Sequence, residues 1–320
     1  MKLSTLFQHS RPRFWHYLYG PMMIWWAYYF SSNSDVFTQT WWSMWFLIFA
    51  FIFFFLSFVV YFTFPANLFV YWVNDFADYD TDKFNTKKQW YEKVLQTRKS
   101  FLFIVFAVQI GYWLLMALLY FFVFLLSAKI SHFTEILSYL SDFSLIFLRI
   151  FVLVLLPFLL LSWLYSFEPI RFKKRIFLDG ISNVLYIITP TILIWLMQWY
   201  TSFQDISPLF WMWFAAAWLW CIAMHCFSAI PDIASDAKAG LKTTAIFLWK
   251  QWSLLYCIAL YALAWILAAQ VIGPVWYVLW LIYCVMVFLW FYYDLFKIYK
   301  RFPYINFFIG WFLCFRIYFM

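Results

Sequence analysis

The stretch FIFFFLSFVVYFTFPANLFVYWVNDFADYDTD, residues 51–82, joins an apolar run directly to a cluster of acidic side chains. The apolar run begins near residue 41 and ends near residue 73, which is longer than the roughly 20 residues with which a helix crosses a bilayer. Asp75, Asp78 and Asp82 follow at i, i+3 and i+7, so they share one face if the helix continues. The stretch therefore predicts a membrane helix whose end carries carboxylates on one face.

Apolar segments of this kind recur along the whole chain. Hydrophobic residues make up 67% of the sequence and charged residues 11%, whereas a soluble domain is about half apolar and about a quarter charged. This composition excludes a disordered chain. It predicts an all-α polytopic membrane protein, a bundle of about nine transmembrane helices in a single domain over residues 1–320. The apolar segments lie near residues 17–31, 41–73, 101–127, 143–165, 180–200, 208–230, 243–269, 274–296 and 303–320.

The basic residues alternate between the connections of these segments. Lys and Arg are frequent at the N-terminus and in connections 2–3, 4–5, 6–7 and 8–9, whereas connections 1–2, 5–6 and 7–8 have none and connection 3–4 has only Lys129. Because cytoplasmic loops are enriched in Lys and Arg, we expect the N-terminus and both acidic motifs to be cytoplasmic, in a multi-pass protein of the cytoplasmic membrane. The net charge of +8 then reflects topology and contact with anionic membrane lipid. No basic patch follows a phosphate backbone, so we expect no nucleic-acid partner.

The first acidic cluster has the chemistry of a metal site. Carboxylates on one stripe repel one another unless a cation lies between them, and their oxygens suit Mg²⁺, which completes its coordination with water and substrate phosphates. Asn74 borders the same stripe, four residues before Asp78, whereas Asp80 points elsewhere. We interpret Asn74, Asp75, Asp78 and Asp82 as magnesium ligands. The alternative is a solvated, negatively charged helix end.

A second acidic pair lies after the sixth apolar segment. Asp232 and Asp236 are spaced i, i+4, which places both carboxylates on one helical face. Pro231 precedes them, as is typical of the first turn of a helix. Such a pair alone is more often a surface feature. Together with the first cluster, on the same predicted side of the membrane, it indicates a second magnesium site.

Basic residues that can bind phosphate lie near both acidic clusters. Arg171 and Lys173 follow the fourth apolar segment, Lys88 follows the first cluster and Lys242 follows the second. A guanidinium binds phosphate as a fork and an ammonium as a point charge. Each residue by itself is better explained as a topology signal or a lipid contact. As a set, they fit a diphosphate.

The two motifs, NDxxDxxxD at residues 74–82 and DxxxD at residues 232–236, resemble those of the UbiA superfamily of intramembrane prenyltransferases. The resemblance extends from Ser10 to about Ala245, beyond which only the hydrophobicity matches. Finer segments around Asn67, Tyr165 and Asp179 resemble the carotenoid branch, which includes lycopene elongases that add a C5 prenyl unit to each end of lycopene.

The resemblance implies Mg²⁺-dependent transfer of an isoprenoid group from an allylic diphosphate, here dimethylallyl diphosphate, to a lipophilic acceptor, here lycopene or a related carotenoid. It implies catalytic roles for the metal-binding aspartates Asp75, Asp78, Asp82, Asp232 and Asp236. Substrate binding is implied for Asn67, Asn74, Lys88, Tyr165, Arg171, Lys173 and Lys242. Of the histidines His16, His132 and His225, only His225 is a candidate proton acceptor, because it lies seven residues before Asp232 on the same predicted helix. A polar group whose hydrogen bonds are satisfied inside the helix bundle is the better explanation of this histidine.

Two other functions are compatible with such a chain. One is transfer of a longer polyprenyl chain to an aromatic acid or quinone precursor, which acceptor assays would distinguish. The other is transport. Transporter sites generally lie near the bilayer midplane on broken helices, whereas the carboxylates here cluster at one predicted surface, which disfavours a transporter.

Overall fold

The computed structural model describes residues 3–32, 55–82, 100–127, 144–145, 148–188, 208–273, 276–293 and 295–319, and these residues contain helices and turns but no strand. The helices are α1 Leu3–His9, α2 Trp15–Ser32, α3 Pro65–Ala77, α4 Tyr79–Asp82, α5 Ser100–Ser127, α6 Leu156–Ser166, α7 Leu178–Ile187, α8 Pro208–Ala229, α9 Ile233–Lys238, α10 Thr244–Ile272, α11 Trp276–Tyr292 and α12 Leu295–Tyr318. Short 3₁₀ turns span Pro12–Phe14, Phe172–Lys174 and Ile230–Asp232, and a π-helical turn at Phe151–Leu155 leads into α6.

The all-α architecture predicted from composition is confirmed, and the number of spans is confirmed in part. Within the described ranges, five helical stretches are long and apolar enough to cross a membrane: Phe55–Ala77, Phe101–Phe122, Leu148–Ser166, Pro208–Lys238 and Thr244–Val271. A sixth apolar helix, Trp280–Tyr292, is shorter. The count of nine transmembrane helices stays a prediction.

The last helix begins earlier than the hydropathy pattern predicts. Helix α12 starts at Leu295 and continues through Pro303, whereas the apolar segment begins near residue 303. Lys297, Lys300 and Arg301, which we expected in a connection, therefore lie on the first turns of α12. The ammonium group of Lys300 lies 4.5 Å from the centre of the Phe296 ring, a contact that lets a charged side chain cover apolar surface at a helix end.

The segment that leads to the first acidic motif is interrupted once before the motif. Pro65 begins α3 after a turn at Phe64. A proline cannot donate to the preceding turn, so carbonyl groups there need other partners. Asn67 supplies them, because its side-chain amide donates to the carbonyl of Phe62 and, at 3.1 Å, to that of Thr63. Gln109 of α5 donates to the carbonyl of Pro65 at 2.7 Å, which ties α5 to the same point.

One face of α3 packs against α5. Leu68, Phe69, Trp72 and Val73 are fully buried and form a cluster with Val105 of α5. The first acidic motif follows at the C-terminal end of α3, where Asp75 pairs with Arg11 of the N-terminal turn and Asp78 pairs with Arg171 of the connection between α6 and α7. A larger apolar cluster joins α2, α8, α10, α11 and α12.

Helix α10 has recognisable end signals. The side chain of Thr243 accepts a hydrogen bond of 3.2 Å from the backbone N–H of Ile246, which is the usual role of an N-cap threonine. At the other end, Gly273 has a φ of 84°, a conformation that glycine adopts at little cost. Thr243 and its neighbour Thr244 thus fix the start of α10 close to the second acidic motif.

Candidate active site

The first acidic motif does not form one continuous helix. Helix α3 ends at Ala77, and Asp78 caps it with φ −102° and ψ 4°. The N–H of Asp78 still donates to the carbonyl of half-buried Asn74 at 3.0 Å, and the N–H of Asp82 donates to the carbonyl of Asp78 at 2.8 Å. The expected single helical face is therefore bent at Asp78, because the single turn α4 starts anew after it.

All three predicted aspartates of this motif are buried. The exposed fractions are 2% for Asp75, 3% for Asp78 and 8% for Asp82. Acidic side chains are almost never buried to this degree unless they are paired. A solvated helix end, the alternative considered for this cluster, does not match this burial.

Asp75 is paired with Arg11, a residue that sequence reasoning treated as a topology signal. A guanidinium nitrogen of Arg11 donates to a carboxylate oxygen of Asp75 within a buried salt bridge. The guanidinium also lies 4.6 Å from the centre of the Tyr71 ring. Arg11 has the left-handed backbone φ of 49° and begins the 3₁₀ turn Pro12–Phe14. A proline after Arg11 disfavours the right-handed helical conformation at Arg11, which is the signal that the chain turns there.

Asp78 is paired with the two basic residues predicted to bind phosphate. Arg171 donates to one carboxylate oxygen of Asp78 at 3.1 Å, and Lys173 donates to the other. Arg171 also has a left-handed backbone, with φ 40°, and precedes the 3₁₀ turn Phe172–Lys174. The structure therefore brings together residues that are more than 90 positions apart in the sequence.

Glu168 lies on the solvent side of this basic turn. Its carboxylate accepts hydrogen bonds from Lys174 at 2.9 Å and from Arg171 at 3.4 Å. The hydrogen bond from Lys174 holds the pKa of Glu168 below its usual value, and desolvation opposes this shift. Exposed pairs of this kind contribute little to stability, so Glu168 leaves the buried pairing at Asp78 intact.

A further buried carboxylate, Asp179, ties the basic turn to the start of α10. Asp179 accepts hydrogen bonds from the N–H of Gly180 at 2.9 Å, from the N–H of Thr244 at 2.9 Å and from the hydroxyl of Thr244. The hydroxyl oxygen of Thr244 accepts in turn from the N–H of Phe177 at 2.7 Å. We call Asp179, Thr244 and the backbone of Phe177 the latch.

The latch also lies next to His225 and Tyr165. The Nε2 atom of His225 is 4.0 Å from a carboxylate oxygen of Asp179, and the Tyr165 ring is nearly perpendicular to the imidazole, with 6.1 Å between ring centres. His225, the candidate proton acceptor, is thus close to an acidic group that is part of the scaffold. Sequence reasoning recognised Asp179 only as part of a family segment and missed its partner Thr244.

The second acidic motif follows helix α8. Asp232 closes the 3₁₀ turn Ile230–Asp232, and Asp236 lies in the short helix α9. Both side chains are half-buried. The hydroxyl of Ser235 donates to the carbonyl of Asp232 at 2.9 Å, and the N–H of Leu241 donates to the carbonyl of Asp236 at 3.0 Å, so the turn containing both aspartates is held by local bonds.

A chain of contacts leads from the first motif to the second. Asp78 binds the basic turn, the basic turn continues into Asp179, and Asp179 lies next to His225 of α8, whose end carries Asp232. Among the other predicted site residues, Asn67 is buried and its side-chain amide donates to backbone carbonyl groups, whereas Lys242 is exposed. Lys88 and His132 lie outside the described residues.

The acidic residues fit a metal that shares its coordination with a substrate. Within the described ranges, no three His, Cys, Asp or Glu side chains are placed to enclose a metal ion by themselves. Mg²⁺ rarely needs such a cage, because it keeps several waters and usually binds one or two carboxylates together with substrate phosphates. Buried aspartates beside arginine and lysine provide both parts of such a site.

A mostly apolar cavity of about 110 Å³ lies on the inner side of the N-terminal turn, between α2, α8, α10, α11 and α12. Its walls include Trp213, Trp220 and Trp265 together with small residues of α8 and α10, and its polar lining residues are His16, Tyr17, Tyr283 and Asn306. Ring contacts connect it to the first motif: Phe14 lies 5.9 Å from Tyr71 and 5.8 Å from Tyr17, between ring centres.

The chain is similar to proteins of one known family. Residues 136–313, more than half of the chain, match the model of the UbiA prenyltransferase family. The lycopene elongase/hydratase of Haloarcula japonica is 32% identical over 269 residues, which cover 84% of this chain and 74% of the relative. The lycopene elongase/hydratase of Halobacterium salinarum is 30% identical over 84% of this chain and 79% of the relative.

The fold also resembles a solved structure. A UbiA homologue from Archaeoglobus fulgidus, determined with DMAPP and Mg²⁺, matches with a TM-score of 0.54 and 16% sequence identity, over 98% of both chains. The family model does not reach the first acidic motif at residues 74–82, but the relatives and this fold cover most of the chain. The chain therefore belongs to the UbiA prenyltransferase family and is an integral-membrane prenyltransferase.

Proposed function

We propose that this prenyltransferase transfers a dimethylallyl group from dimethylallyl diphosphate to lycopene or a related carotenoid, using Mg²⁺ at the cytoplasmic face of the cytoplasmic membrane. The observation that carries the proposal is the pairing of two buried aspartates with cations from distant parts of the chain, Arg11 with Asp75 and Arg171 with Asp78. Carboxylates for a metal and cations for phosphate thus alternate at one end of an apolar bundle.

The donor is supported by this electrostatic arrangement and by the solved relative. Arg11, Arg171 and Lys173 are directed at the aspartates that a metal ion would bind. When metal ions bind the carboxylates, these three basic side chains can direct their N–H groups to phosphate oxygens instead. A diphosphate presents several such oxygens. The Archaeoglobus fulgidus homologue with DMAPP and Mg²⁺ has the same fold.

Each motif would hold one ion in this proposal. Asp75, Asp78 and Asp82 would bind the first with support from Asn74, and Asp232 and Asp236 would bind the second. Bound Mg²⁺ supplies the positive charge that stabilises diphosphate as a leaving group. Lys88 and Lys242 remain candidates for phosphate contacts, and Asn67 and Tyr165 for contacts with the substrates.

The protein then has to protect a carbocation. Breaking the allylic C–O bond leaves the electron pair on the diphosphate oxygen and a positive charge on the dimethylallyl carbon. Ring contacts from Tyr71 to Phe14 and from Phe14 to Tyr17 join the surroundings of the first acidic motif to the apolar cavity, and aromatic faces stabilise cations by about 0.5–2 kcal/mol each. Their packing also excludes bulk water, which would otherwise quench the cation.

The acceptor is supported by the relatives. The Haloarcula japonica and Halobacterium salinarum proteins are named lycopene elongase/hydratase, and the apolar, aromatic-lined cavity suits a hydrocarbon better than a charged aromatic acid. Attack by the π electrons of a terminal double bond on the allylic cation forms the new C–C bond and moves the positive charge to the other carbon of that double bond. Loss of a proton from a neighbouring carbon then gives a neutral alkene, and His225 is the candidate base for this proton.

The experiment is transfer by membranes that contain the full chain. Labelled dimethylallyl diphosphate and Mg²⁺ are supplied with lycopene or with an aromatic acid, and we expect label in the carotenoid only. Asp75→Ala and Asp232→Ala should abolish transfer, whereas Asp80→Ala, a change at an acidic residue of the same motif outside the proposed ligand set, should retain it. Full transfer by both ligand variants would refute the metal assignment, and label in the aromatic acid would refute the acceptor.

A further inference from the structure

We propose that an anionic phospholipid binds the outer side of the latch and holds the latch closed. The site is a largely exposed aromatic surface with one lysine, which we call the lipid surface: Phe177, Phe247, Trp249, Lys250 and Trp252. The inference goes beyond prenyl transfer and rests on the proposed function only for the cytoplasmic side of the membrane. It assigns a lipid dependence to the segment that positions the basic turn.

Helix α10 is broken near its start, at the lipid surface. Trp249 has a φ of 58° and a ψ of 172° inside the helix, a backbone region that is almost confined to glycine. In an unbroken helix, the N–H of Trp249 would donate to the carbonyl of Ala245. Here the hydroxyl of buried Ser253 donates to that carbonyl at 3.3 Å. The break sets off the first turns of α10, which carry Thr244 of the latch.

Phe177 joins the latch to the lipid surface. Its N–H donates to the hydroxyl oxygen of Thr244 at 2.7 Å. Its ring lies 6.1 Å from that of Phe247 and 6.2 Å from that of Tyr256, between ring centres. Phe177 has a φ of 63°, which is an outlier for a bulky residue, as it is for Trp249. Such conformations persist only where the surroundings hold them firmly.

The protein leaves most of the aromatic area of the lipid surface uncovered. The exposed fractions are 43% for Phe177, 57% for Phe247, 67% for Trp249 and 66% for Trp252. The contacts inside the protein therefore hold the inner side of the break, whereas the rings on its outer side face the surroundings. In an integral-membrane protein those surroundings are lipid, and tryptophan rings at a membrane interface lie at the level of the headgroups.

The charge of the segment favours an anionic lipid over a zwitterionic one. Residues 237–250 contain three lysines and no acidic residue. The carboxylate of the latch, Asp179, is buried and accepts three hydrogen bonds. Lys250 directly follows Trp249, and a lysine at a membrane interface extends its ammonium group to the headgroups. Both kinds of lipid offer apolar contacts to the rings, but only the anionic lipid adds attraction to the lysines.

The lipid acts on the latch through the residue that both share. Lipid packed on the rings of Phe177 and Trp249 favours the conformation in which the N–H of Phe177 stays bonded to Thr244. A ligand shifts such an equilibrium by its difference in affinity for the two conformations. Exchange of the latch N–H groups with solvent occurs in the open conformation, so its rate measures this shift.

Hydrogen exchange of the latch tests the proposal without any substrate. The full chain is placed in nanodiscs of phosphatidylcholine alone or of phosphatidylcholine mixed with phosphatidylglycerol. Exchange is followed by mass spectrometry in peptides that contain Phe177 and Thr244, whose N–H groups are hydrogen-bonded in the latch. We expect exchange at least about fivefold slower in the mixed discs, which is the contribution of one lysine near an anionic surface.

Two variants distinguish the charge of the lipid surface from its rings. Lys250→Gln should bring exchange in the two kinds of disc to within about twofold of each other. Trp249→Gly should also reduce the difference. Glycine adopts the backbone conformation of the break without strain, so this loss reports the missing ring and not a collapse of the break. The matched control is Lys297→Gln, at an exposed lysine of α12, which should keep the wild-type difference.

Three results would overturn the lipid site. One is equal exchange of the wild type in both kinds of disc, and another is an undiminished difference in both variants. The third is slowed exchange in phosphatidylcholine discs when glycerol phosphate is added in solution, because the ligand would then be a free phosphate. None of these measurements needs prenyl transfer. Failure of the enzyme to prenylate lycopene therefore overturns the proposed function and leaves the lipid site standing.

Discussion

Arg11 and Asp75, 64 residues apart in the sequence, form a buried salt bridge that joins the N-terminal turn to the end of α3. Arg171 and Asp78 repeat the arrangement three residues later on the motif. Both arginines have a left-handed backbone, and both begin a 3₁₀ turn. This conformation costs a residue other than glycine roughly 1–2 kcal/mol. The contacts of the two guanidinium groups must offset it.

The first prediction concerns the contribution of the Arg11–Asp75 pair to the free energy of unfolding. Removing one partner of a buried ion pair leaves an uncompensated charge and typically costs about 3–5 kcal/mol. We expect Arg11→Ala to lower the thermal unfolding midpoint of the purified protein by several degrees and to abolish prenyl transfer. Arg13→Ala, two residues away at a less buried position, is the control and should leave the midpoint close to that of the wild type. Equal midpoints for Arg11→Ala and wild type would contradict the assignment.

Much of this site could be anticipated from residue types and spacing. Charge alternation placed Asp75, Asp78, Arg171 and Lys173 on one side of the membrane, and the contacts at Asp78 join three of them. The apolar segments predict helices because the backbone N–H and C=O groups of a segment inside the membrane need hydrogen-bond partners, and a helix supplies them within the segment itself.

The remaining features depend on tertiary contacts that local sequence does not determine. Nothing in the spacing of the first motif shows that its helix ends at Ala77, because an aspartate such as Asp78 can either continue a helix or end it. The contacts of Asp78 with Arg171 and Lys173 fix its position. The sequence indicates only a topology signal at Arg11, because a basic residue is expected before the first helix whether or not it pairs with an acidic residue. Thr244 was overlooked because only the fold brings it to Asp179.

The second prediction tests the latch. Thr244→Val keeps the shape of the side chain but removes the hydroxyl that joins Asp179 to the N–H of Phe177. Leaving buried polar groups without partners costs about 1–3 kcal/mol, so the unfolding midpoint should fall. Because the latch fixes the basic turn, the KM for dimethylallyl diphosphate should rise more than kcat falls. Ser182→Ala, which removes a hydroxyl that donates to carbonyls of its own helix, should change neither constant by much. A fall in kcat alone for Thr244→Val would count against the latch.

The third prediction is a pH dependence of stability. Burial is the main cause that lowers the pKa of His9 below its usual 6.5, with Asp75 opposing the shift and Arg11 adding to it. Above pH 6.5 the imidazole is neutral in both states. As the pH falls below 6.5, the unfolded chain takes up the proton first, so folding stability decreases toward the lower pKa of the native state.

His9→Phe should therefore flatten the fall of the unfolding midpoint between about pH 7 and pH 5. The replacement suits the site, because the His9 ring already packs edge-to-face on Phe101, with 5.7 Å between ring centres. Gln8→Ala, at the exposed neighbouring position, serves as the control and should follow the wild-type curve. Parallel curves for His9→Phe and wild type would show that His9 does not cause the acid sensitivity.

The fourth prediction separates the charge of Lys173 from its packing. Lys173→Met keeps an unbranched apolar stem and removes the ammonium group that binds Asp78. Arg171 still pairs with Asp78, so the protein should fold, with a modest loss of stability. Phosphate binding should weaken, and the KM for dimethylallyl diphosphate should rise by about tenfold, as expected for the loss of one charge-assisted hydrogen bond. Lys174→Met, whose ammonium pairs with exposed Glu168, should leave the KM within about twofold of the wild type.

The last prediction uses the Arg11–Asp75 pair to separate stability from catalysis. In Arg11→Ala the destabilising element is the buried carboxylate of Asp75, so a second change that removes this charge should restore part of the lost stability. We therefore expect the Arg11→Ala, Asp75→Ala double variant to unfold at a higher temperature than Arg11→Ala, although neither variant transfers a prenyl group. Thermal unfolding of the four proteins of the cycle, each assayed for transfer in parallel, measures this coupling. If the double variant is less stable than the wild type by the sum of the losses of the two single variants, Arg11 and Asp75 act independently. The cations of the site would then not be held in place by the acidic motif.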